Sequence, residues 1–190
     1  RARQAEALYI IGDLFEAWIG DDDIDDPYHA EIVAALRSAS DSGLQISLQH
    51  GNRDFLLGAD FAAATGIRLL GDPYVLSTAE WQFVLSHGDA LCLDDAAYMA
   101  FRNQVRNPEW QAALLAKPLA ERRAIAAHMR QVSESSQQGK ENPYTDLQAA
   151  ATDDFLREHG YATFIHGHTH QPAKHDHIVD GIHAARWVLA

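Results

Sequence analysis

The sequence predicts an α/β protein built in layers. Short apolar runs that favour strands alternate along the chain with stretches of helical period. Four of the apolar runs end at a glycine flanked by polar side chains, and loops that follow neighbouring strands converge at one edge of a layered fold. A chain of 190 residues is long enough for one buried core, so we predict a single domain spanning 1–190.

The first half of the chain alternates between strands and helices. We predict strands at Ala7–Ile11, Gln45–Gln49, 67–70, Tyr74–Ser77 and 81–86. The stretch 27–42 carries apolar residues one helical turn apart and ends before Gly43, which predicts a helix. A second helix is predicted over 55–65, where Gly66 supplies the cap.

The second half of the chain is dominated by helix. The stretch 94–138 is rich in alanine and leucine, and it predicts helices that have Pro108 and Pro118 in their first turns. The polar stretch 133–142 predicts a loop, and 145–159 predicts another helix. We predict the remaining strands at 161–165 and 184–189.

Charge is distributed unevenly along the chain. The net charge of −12 argues against nucleic-acid binding, which needs a basic face, so we predict no nucleic-acid partner. No feature of the sequence indicates an obligate protein partner. The stretch 102–140 differs from the rest, because it has seven basic and only three acidic residues. Two interpretations fit it: a solvated helix face, or a surface that meets an anion or an anionic membrane.

Cysteine content and hydropathy bear on location. The single cysteine, Cys92, excludes an internal disulfide and fits a reducing compartment. No apolar run approaches the roughly 18 residues that cross a bilayer, and no signal peptide is recognisable. We therefore expect a cytoplasmic protein that does not span a membrane. The first strand begins almost at the first residue, so we also expect that an N-terminal piece is missing.

Candidate metal ligands lie in the polar segments that follow the apolar runs. They are Asp13, Asn52, His87, His168 and His170. Carboxylate, amide oxygen and imidazole together suit manganese, iron or zinc, and two ions roughly 3.5–4 Å apart activate water and neutralise phosphate charge. An aspartate or histidine that follows a single strand is commoner as a turn residue, but the ordered set predicts a metal centre. We predict that His166 supports it through a hydrogen bond.

Four motifs carry a resemblance to a known superfamily. Gly12-Asp13, then Gly-Asn-Arg-Asp from Gly51, His-Gly-Asp from His87 and Gly-His-Thr-His from Gly167 resemble the signature of calcineurin-like metallophosphoesterases. Longer strings are similar to UDP-2,3-diacylglucosamine pyrophosphatases in particular: GDLFEAWIGDDD from Gly12, HGNRDFLLG from His50 and IHGHTHQPA from Ile165. Many superfamily members have a histidine where this chain has Arg53. The resemblance covers nearly the whole chain.

The resemblance implies a fold, an activity and a location. The fold is a four-layer α/β/β/α sandwich with a helical insertion, a lid, at about 96–143. The activity is hydrolysis of UDP-2,3-diacylglucosamine to UMP and 2,3-diacylglucosamine 1-phosphate in lipid A biosynthesis, with two manganese ions. The location is the cytoplasmic side of the bacterial inner membrane, where the insertion would hold acyl chains and meet headgroups. An insertion that only packs on the core is the other interpretation.

The resemblance also implies a role for each site residue. Asp13, Asn52, His87 and His168 would form one complete metal site, and Asp13 and His170 would contribute to a second. Arg53 would stabilise charge on the phosphoryl oxygens, and Asn52 and His168 would contact substrate, so these three are the predicted catalytic residues. Further substrate contacts are implied at Asp95, Ser133, Gln137 and Lys140.

Two features depart from the family pattern. Members carry an Asp-x-His motif upstream of Gly12, which this chain lacks, so its second metal site has only two of the usual ligands. We expect the domain to be incomplete at both ends and the chain itself to be impaired or inactive. Two alternatives stay open: another calcineurin-like phosphodiesterase that acts on nucleotides, which would not need an apolar, basic insertion, or a metal-binding fragment without catalysis.

Overall fold

The computed structural model describes residues 5–137 and 146–190, in which two β-sheets are surrounded by helices. The strands of the first sheet are β1 (Ala7–Ile11), β2 (Gln45–Gln49) and β3 (Arg68–Leu70). They pair in the order β1-β2-β3, and both pairs are parallel. All three carboxyl ends therefore lie at the same edge of the sheet.

The second sheet is mixed. Its strands are β4 (Tyr74–Ser77), β5 (Gln82–Ser86), β6 (Thr163–His166), β7 (Ala173–Val179) and β8 (Ile182–Val188). They pair in the order β4-β5-β6-β8-β7. The three inner strands are parallel to one another and the two edge strands are antiparallel to their neighbours, so the carboxyl ends of β5 and β6 lie side by side.

Six α-helices connect and cover the strands in the described part of the chain. They are α1 (Pro27–Asp41), α2 (Ala59–Thr65), α3 (Ala96–Val105), α4 (Pro108–Leu115), α5 (Leu119–Gln137) and α6 (Ala149–Glu158). Asp26, Asp95 and Asn107 cap α1, α3 and α4, because each side chain accepts a hydrogen bond from a backbone N–H of the first turn. Pro108 occupies the first turn of α4, as predicted.

Each sheet has its own hydrophobic core. In the first core, Ile46 and Leu48 alternate on one face of β2 and pack with Phe61 of α2 and with the apolar side of α1. In the second core, Phe164 of β6 packs with Leu156 of α6. The helices thus cover the outer faces of two stacked sheets, which agrees with the predicted α/β/β/α sandwich.

Gln49 joins the two sheets where their inner faces meet. This side chain is buried at the end of β2, and its Nε2 donates to Gly71 O at 2.8 Å and to Leu85 O of β5 at 3.1 Å. The ends of β2 and β5 are thereby held together. The loops that leave these strands start from fixed and neighbouring positions.

The helices α3, α4 and α5 occupy most of the predicted insertion. Leu114 of α4 is buried in the first core, and Trp110 and Ile125 pack against it. The guanidinium of Arg122 is buried, donates to Ile19 O at 2.6 Å and to Lys117 O at 3.0 Å, and pairs with Asp22. The start of α5 is therefore anchored to the loop that follows β1.

Long-range hydrogen bonds shift two helix starts from the predicted positions. We predicted a helix from residue 55, but α2 begins at Ala59, because Asp21 accepts hydrogen bonds from the backbone N–H groups of Gly58 and Phe61 and sets the first turn there. We predicted another from residue 145, but α6 begins at Ala149, because the Gln148 N–H donates to Leu91 O.

One strand was missed, and one predicted loop begins later than expected. The strand β7 was not predicted, since its sequence AKHDHIV is polar on both faces and shows no apolar alternation. The loop predicted over 133–142 begins later, because α5 extends to Gln137, and the remainder lies outside the described residues. Within the described residues, no helix combines the length and the apolar character that crossing a bilayer requires.

Candidate metal centre

The predicted ligands follow four different strands whose carboxyl ends meet at one edge of the fold. Asp13 follows β1, Asn52 follows β2, His87 follows β5 and His168 follows β6. Among the described residues, one oxygen of Asp13 and one ring nitrogen of each histidine lie within 4.8 Å of one another. Residues far apart in the sequence thus bring three ligand atoms to one point.

The ring of His87 is oriented by a backbone carbonyl. This histidine is almost fully buried, and its Nδ1 lies 2.9 Å from Ile11 O, to which only an N–H can bind. A neutral imidazole has one N–H, so Nε2 carries a lone pair directed into the site. That nitrogen is 3.0 Å from Asn52 Oδ1 and 3.7 Å from Asp13 Oδ2, which are both acceptors. Three acceptor atoms that face one another fit a shared cation.

Asn52 lies at the centre of this arrangement. Its Oδ1 is 2.8 Å from Nδ1 of His168 and 3.0 Å from Nε2 of His87. Burial, and next the neighbouring His87, lower the pKa of His168 to about 3, so this ring is neutral at neutral pH. A neutral imidazole is the form that binds metals. Asp13, Asn52, His87 and His168 therefore suit a divalent cation that accepts mixed oxygen and nitrogen ligands.

The backbone of the ligand loops adopts conformations that L-residues rarely take. Asp13, His168 and His170 have φ of 54°, 64° and 50°. A non-glycine residue in this region costs about 1–2 kcal/mol, and such residues cluster at functional sites. Gly51 allows the close approach of two loops, since a Cβ there would overlap the Asp13 carboxylate. The unfavourable backbone conformations therefore serve to place the candidate ligands.

Comparisons with known proteins find relatives that match nearly the whole chain. The chain is 48% identical over 189 residues to a UDP-2,3-diacylglucosamine hydrolase of Aromatoleum aromaticum, which covers 100% of this chain and 77% of that relative. It is 52% identical over 184 residues to the Chromobacterium violaceum protein of the same name, covering 96% and 75%. For an Escherichia coli SMS-3-5 relative of that name the identity is 46% over 188 residues, covering 99% and 78%. A scan against models of protein families finds no match.

This chain belongs to the UDP-2,3-diacylglucosamine hydrolase family. The relatives that match nearly the whole chain at 46–52% identity all carry this name. The motifs that follow β1, β2, β5 and β6 led to this family from sequence alone, and the structure brings their polar residues together. The resemblance is confirmed.

The remaining predicted residues of the hydrolase site lie at different distances from the ligand group. The Arg53 guanidinium is beside it, with Nε 3.6 Å from Asp13 Oδ2 and Nη1 2.5 Å from Glu16 Oε2. His170 is exposed and is not part of the 4.8 Å group in the described residues, although its charge lowers the pKa of His168. Its assignment to a second metal site stays a prediction.

Of the substrate-contacting residues predicted on the insertion, only Asp95 has a side chain within the described part of the structure. Asp95 caps α3, and its Oδ1 accepts a hydrogen bond from the Tyr98 N–H at 2.9 Å. Ser133 and Gln137 lie on α5, but their side chains are outside the described part of the structure, as is the whole of Lys140. These four assignments remain predictions.

Sequence reasoning missed Asp54, which ties two ligand loops of the hydrolase together. Its carboxylate is fully buried and accepts from the N–H groups of Leu14 and Gly51, both at 2.7 Å. Burial, and next the Asp13 charge, raise the pKa of this carboxyl. Its place in the string Gly-Asn-Arg-Asp was the available signal, since aspartate often accepts from nearby backbone N–H groups in turns.

A second buried aspartate, Asp89, was also missed. It follows His87-Gly88 and is fully buried. Burial opposes its ionisation, but His87 in its protonated form and the charges of Arg102 and Arg106 outweigh that effect and hold the pKa of Asp89 below its usual value. Because Arg102 and Arg106 reach Asp89 from a separate helix, no local pattern could have indicated this environment.

Proposed function

We propose that this chain hydrolyses the diphosphate of UDP-2,3-diacylglucosamine to UMP and 2,3-diacylglucosamine 1-phosphate, a step of lipid A biosynthesis. Water adds to the phosphorus on the uridine side, and the bond from that phosphorus to the bridging oxygen breaks. The bridging oxygen leaves with the sugar phosphate. Support comes from the names of relatives at 46–52% identity together with the site that the motifs build.

One observation carries this proposal: the ends of four strands direct Asp13, Asn52, His87 and His168 towards one point. We propose manganese as the metal and two ions as the full complement, with Asp13 shared and His170 contributing to the second position. When bound, such ions supply charge neutralisation and activation of water for an in-line displacement at phosphorus. The carboxylate, amide and imidazole groups present here fit that cation class.

The other residues of the site bind and orient. Arg53 is held between Asp13 and Glu16, and its side chain is 30% exposed, so an arriving phosphate can replace Glu16 as its partner. Planar guanidinium donors match the charge that develops on phosphoryl oxygens. The Ile11 carbonyl accepts a hydrogen bond from Nδ1–H of His87, so Nε2 of the neutral ring faces the centre with a lone pair.

We propose that the insertion receives the acyl chains and that the protein lies on the cytoplasmic face of the inner membrane. The helices α4 and α5 expose Leu115 and Val132, and Arg130 lines a cleft of about 470 Å³ between α5 and the start of α1, in which Arg123 pairs with Asp23 and Asp26. Apolar and cationic side chains together suit an interfacial lipid. A nucleotide substrate without acyl chains would need neither the exposed apolar side chains nor the basic ones of the insertion.

The proposal is tested by manganese-dependent release of UMP from UDP-2,3-diacylglucosamine, with the Aromatoleum aromaticum relative assayed beside this chain. We expect UMP to appear only with manganese and the Asn52→Ala variant to lose at least 100-fold in kcat/KM, because Asn52 contacts both histidines of the site.

The matched control is His183→Ala, an exposed histidine on β8 that pairs with Asp176 away from the site. This variant should keep the parent rate. If the relative turns over and this chain releases no UMP, the proposal that this chain is an active hydrolase is wrong. If this chain cleaves only nucleotide phosphodiesters, the substrate assignment is wrong.

A further inference from the structure

The carboxylate of Asp89 lies next to the candidate metal centre without belonging to its ligand group. It is fully buried two residues after His87, and the group of ligand atoms within 4.8 Å in the described residues does not include it. A buried charge is costly unless other groups neutralise it. The partners of Asp89 therefore indicate what it does.

Within the described residues, side chains that hydrogen-bond or ion-pair with Asp89 come from one face of α3 and from the residue that ends this helix. The Tyr98 hydroxyl donates to Asp89 Oδ2 at 2.9 Å, Nε of Arg102 lies 2.9 Å from the same oxygen, and Nη2 of Arg106 lies 3.8 Å from it. Residues 98, 102 and 106 are four apart, which places them one above another on a helix. A whole helix face thus converges on one carboxylate.

The same helix face also reaches the other ligand loops. Nη2 of Arg106 donates to Gly51 O at 3.0 Å and to His50 O at 3.3 Å, directly before the ligand Asn52. The Tyr98 ring packs on the ring of His168 with centroids 5.1 Å apart. The helix α3 therefore touches the loop of His87 through Asp89, the loop of Asn52 through Gly51, and His168 itself.

We propose that Asp89 is a positioning residue that couples α3, the first helix of the insertion, to the three ligand loops, so that metal binding and the placement of α3 depend on each other. Asp89 fixes the two arginines and the tyrosine, and these fix the loops. Removal of its charge leaves the guanidinium groups of Arg102 and Arg106 without this counter-charge next to the ligand loops, which disfavours a bound cation. The inference rests on the metal centre and not on the identity of the substrate.

The test measures manganese affinity and backbone hydrogen exchange in the absence of substrate. In the parent protein, manganese should slow exchange of the amides of α3 as well as those of the ligand loops. In Asp89→Asn, which preserves side-chain size, we expect manganese affinity to fall about 10- to 100-fold, the range for groups that orient ligands. At saturating manganese, α3 should no longer gain protection.

Asp22→Asn is the matched control, because it also leaves a buried arginine, Arg122, without its carboxylate, but at the anchored start of α5. It should bind manganese as the parent does. If Asp22→Asn loses as much affinity as Asp89→Asn, the effect is general loss of stability and the proposal is wrong.

A second variant keeps the test decisive if Asp89→Asn does not fold. Arg106→Gln leaves Asp89 paired with Arg102 but removes the contact with Gly51 O. We expect weaker manganese binding and loss of the manganese-dependent protection of α3. Parent-like affinity together with parent-like protection in this variant would overturn the proposal.

Discussion

At the scale of single residues, His166 shows how a buried histidine serves the site without binding metal. Its ring is fully buried, Nδ1 lies 2.9 Å from Gly167 O, and Nε2 lies 3.2 Å from Nη1 of Arg186. Nδ1 therefore carries the proton and Nε2 accepts from the arginine. Asp146 in turn binds Arg186 through both of its oxygens. This chain of contacts holds the loop that presents His168, in agreement with the predicted supporting role.

This environment predicts a pH dependence of stability. Burial is the main cause that lowers the pKa of His166 to about 4, from an ordinary value of about 6.5. Between these values the unfolded chain binds a proton that the folded chain does not, so stability is full above pH 6.5 and is lost as the pH falls towards 4. The loss amounts to at most about 3 kcal/mol.

The measurement is urea unfolding of metal-free protein between pH 7 and pH 4. His166→Gln should lose less stability over this range than the parent, because glutamine does not titrate. His183→Gln, a change at an exposed histidine, should keep the parent slope. Parallel curves for the parent and His166→Gln would contradict the assignment.

At the scale of elements, a single distant carboxylate determines where α2 begins. Asp21 accepts from the N–H groups of Gly58, Asp60 and Phe61 at 3.0 Å each, and from Trp18 Nε1 at 3.0 Å. A Cβ at Gly58 would press on this carboxylate, so glycine permits the contact. The first turn of α2 is thus completed by the loop after β1, close to the candidate ligand Asp13 in sequence.

Asp21→Ala should therefore cost more than loss of an ordinary helix cap. Three backbone N–H groups lose their acceptor, and we expect the free energy of unfolding to fall by about 2–4 kcal/mol. Asp26→Ala is the comparison, since Asp26 caps α1 with one exposed hydrogen bond and should cost about 1 kcal/mol. Equal losses in urea denaturation would show that the extra contacts of Asp21 contribute nothing.

Elements were predictable where the signal was local. The strands β1, β2 and β4 have the predicted bounds, because short apolar runs between turn residues are sufficient evidence for them. The strand β7 was missed, although the pair Asp180-Gly181 that joins it to β8 is a common hairpin turn and both residues have positive φ. The start of α2 could not be predicted, since Asp21 lies 37 residues before Gly58.

At the scale of the whole molecule, the candidate metal centre is assembled only in the folded chain. Its candidate ligands lie at positions 13, 52, 87 and 168, so the unfolded chain does not hold them together. A cation that binds only the folded state stabilises it by mass action. Manganese should therefore raise the temperature of unfolding as well as support activity.

At 100 times its dissociation constant, manganese should add about 2.7 kcal/mol to the free energy of unfolding. For a chain of this length that corresponds to a rise in Tm of about 5–10 °C, which excess chelator should reverse. Asn52→Ala should need much more manganese for the same rise. Scanning calorimetry over a manganese series measures both, and an identical series for parent and variant would exclude Asn52 as a ligand.

The site was predictable to the extent that its chemistry lies in the strand-end motifs. Asp13, Asn52, His87 and His168 could be named because each follows an apolar run. Their surroundings could not, since contacts such as Arg106 with Gly51 join residues 55 apart that share no pattern. The positions of Arg53 and His170 relative to a bound phosphate depend on the metal ions and the substrate, which the sequence does not encode.

The left-handed backbone at Asp13, His168 and His170 also has a consequence for directed evolution. Glycine adopts these conformations without the steric cost that a side chain incurs. A library selected for heat tolerance alone would therefore tend to accumulate glycine at these positions, retaining the loop shape and discarding the chemistry. Directed evolution of this protein has to select for turnover and thermal stability in the same round, because at these three positions activity and stability favour different residues.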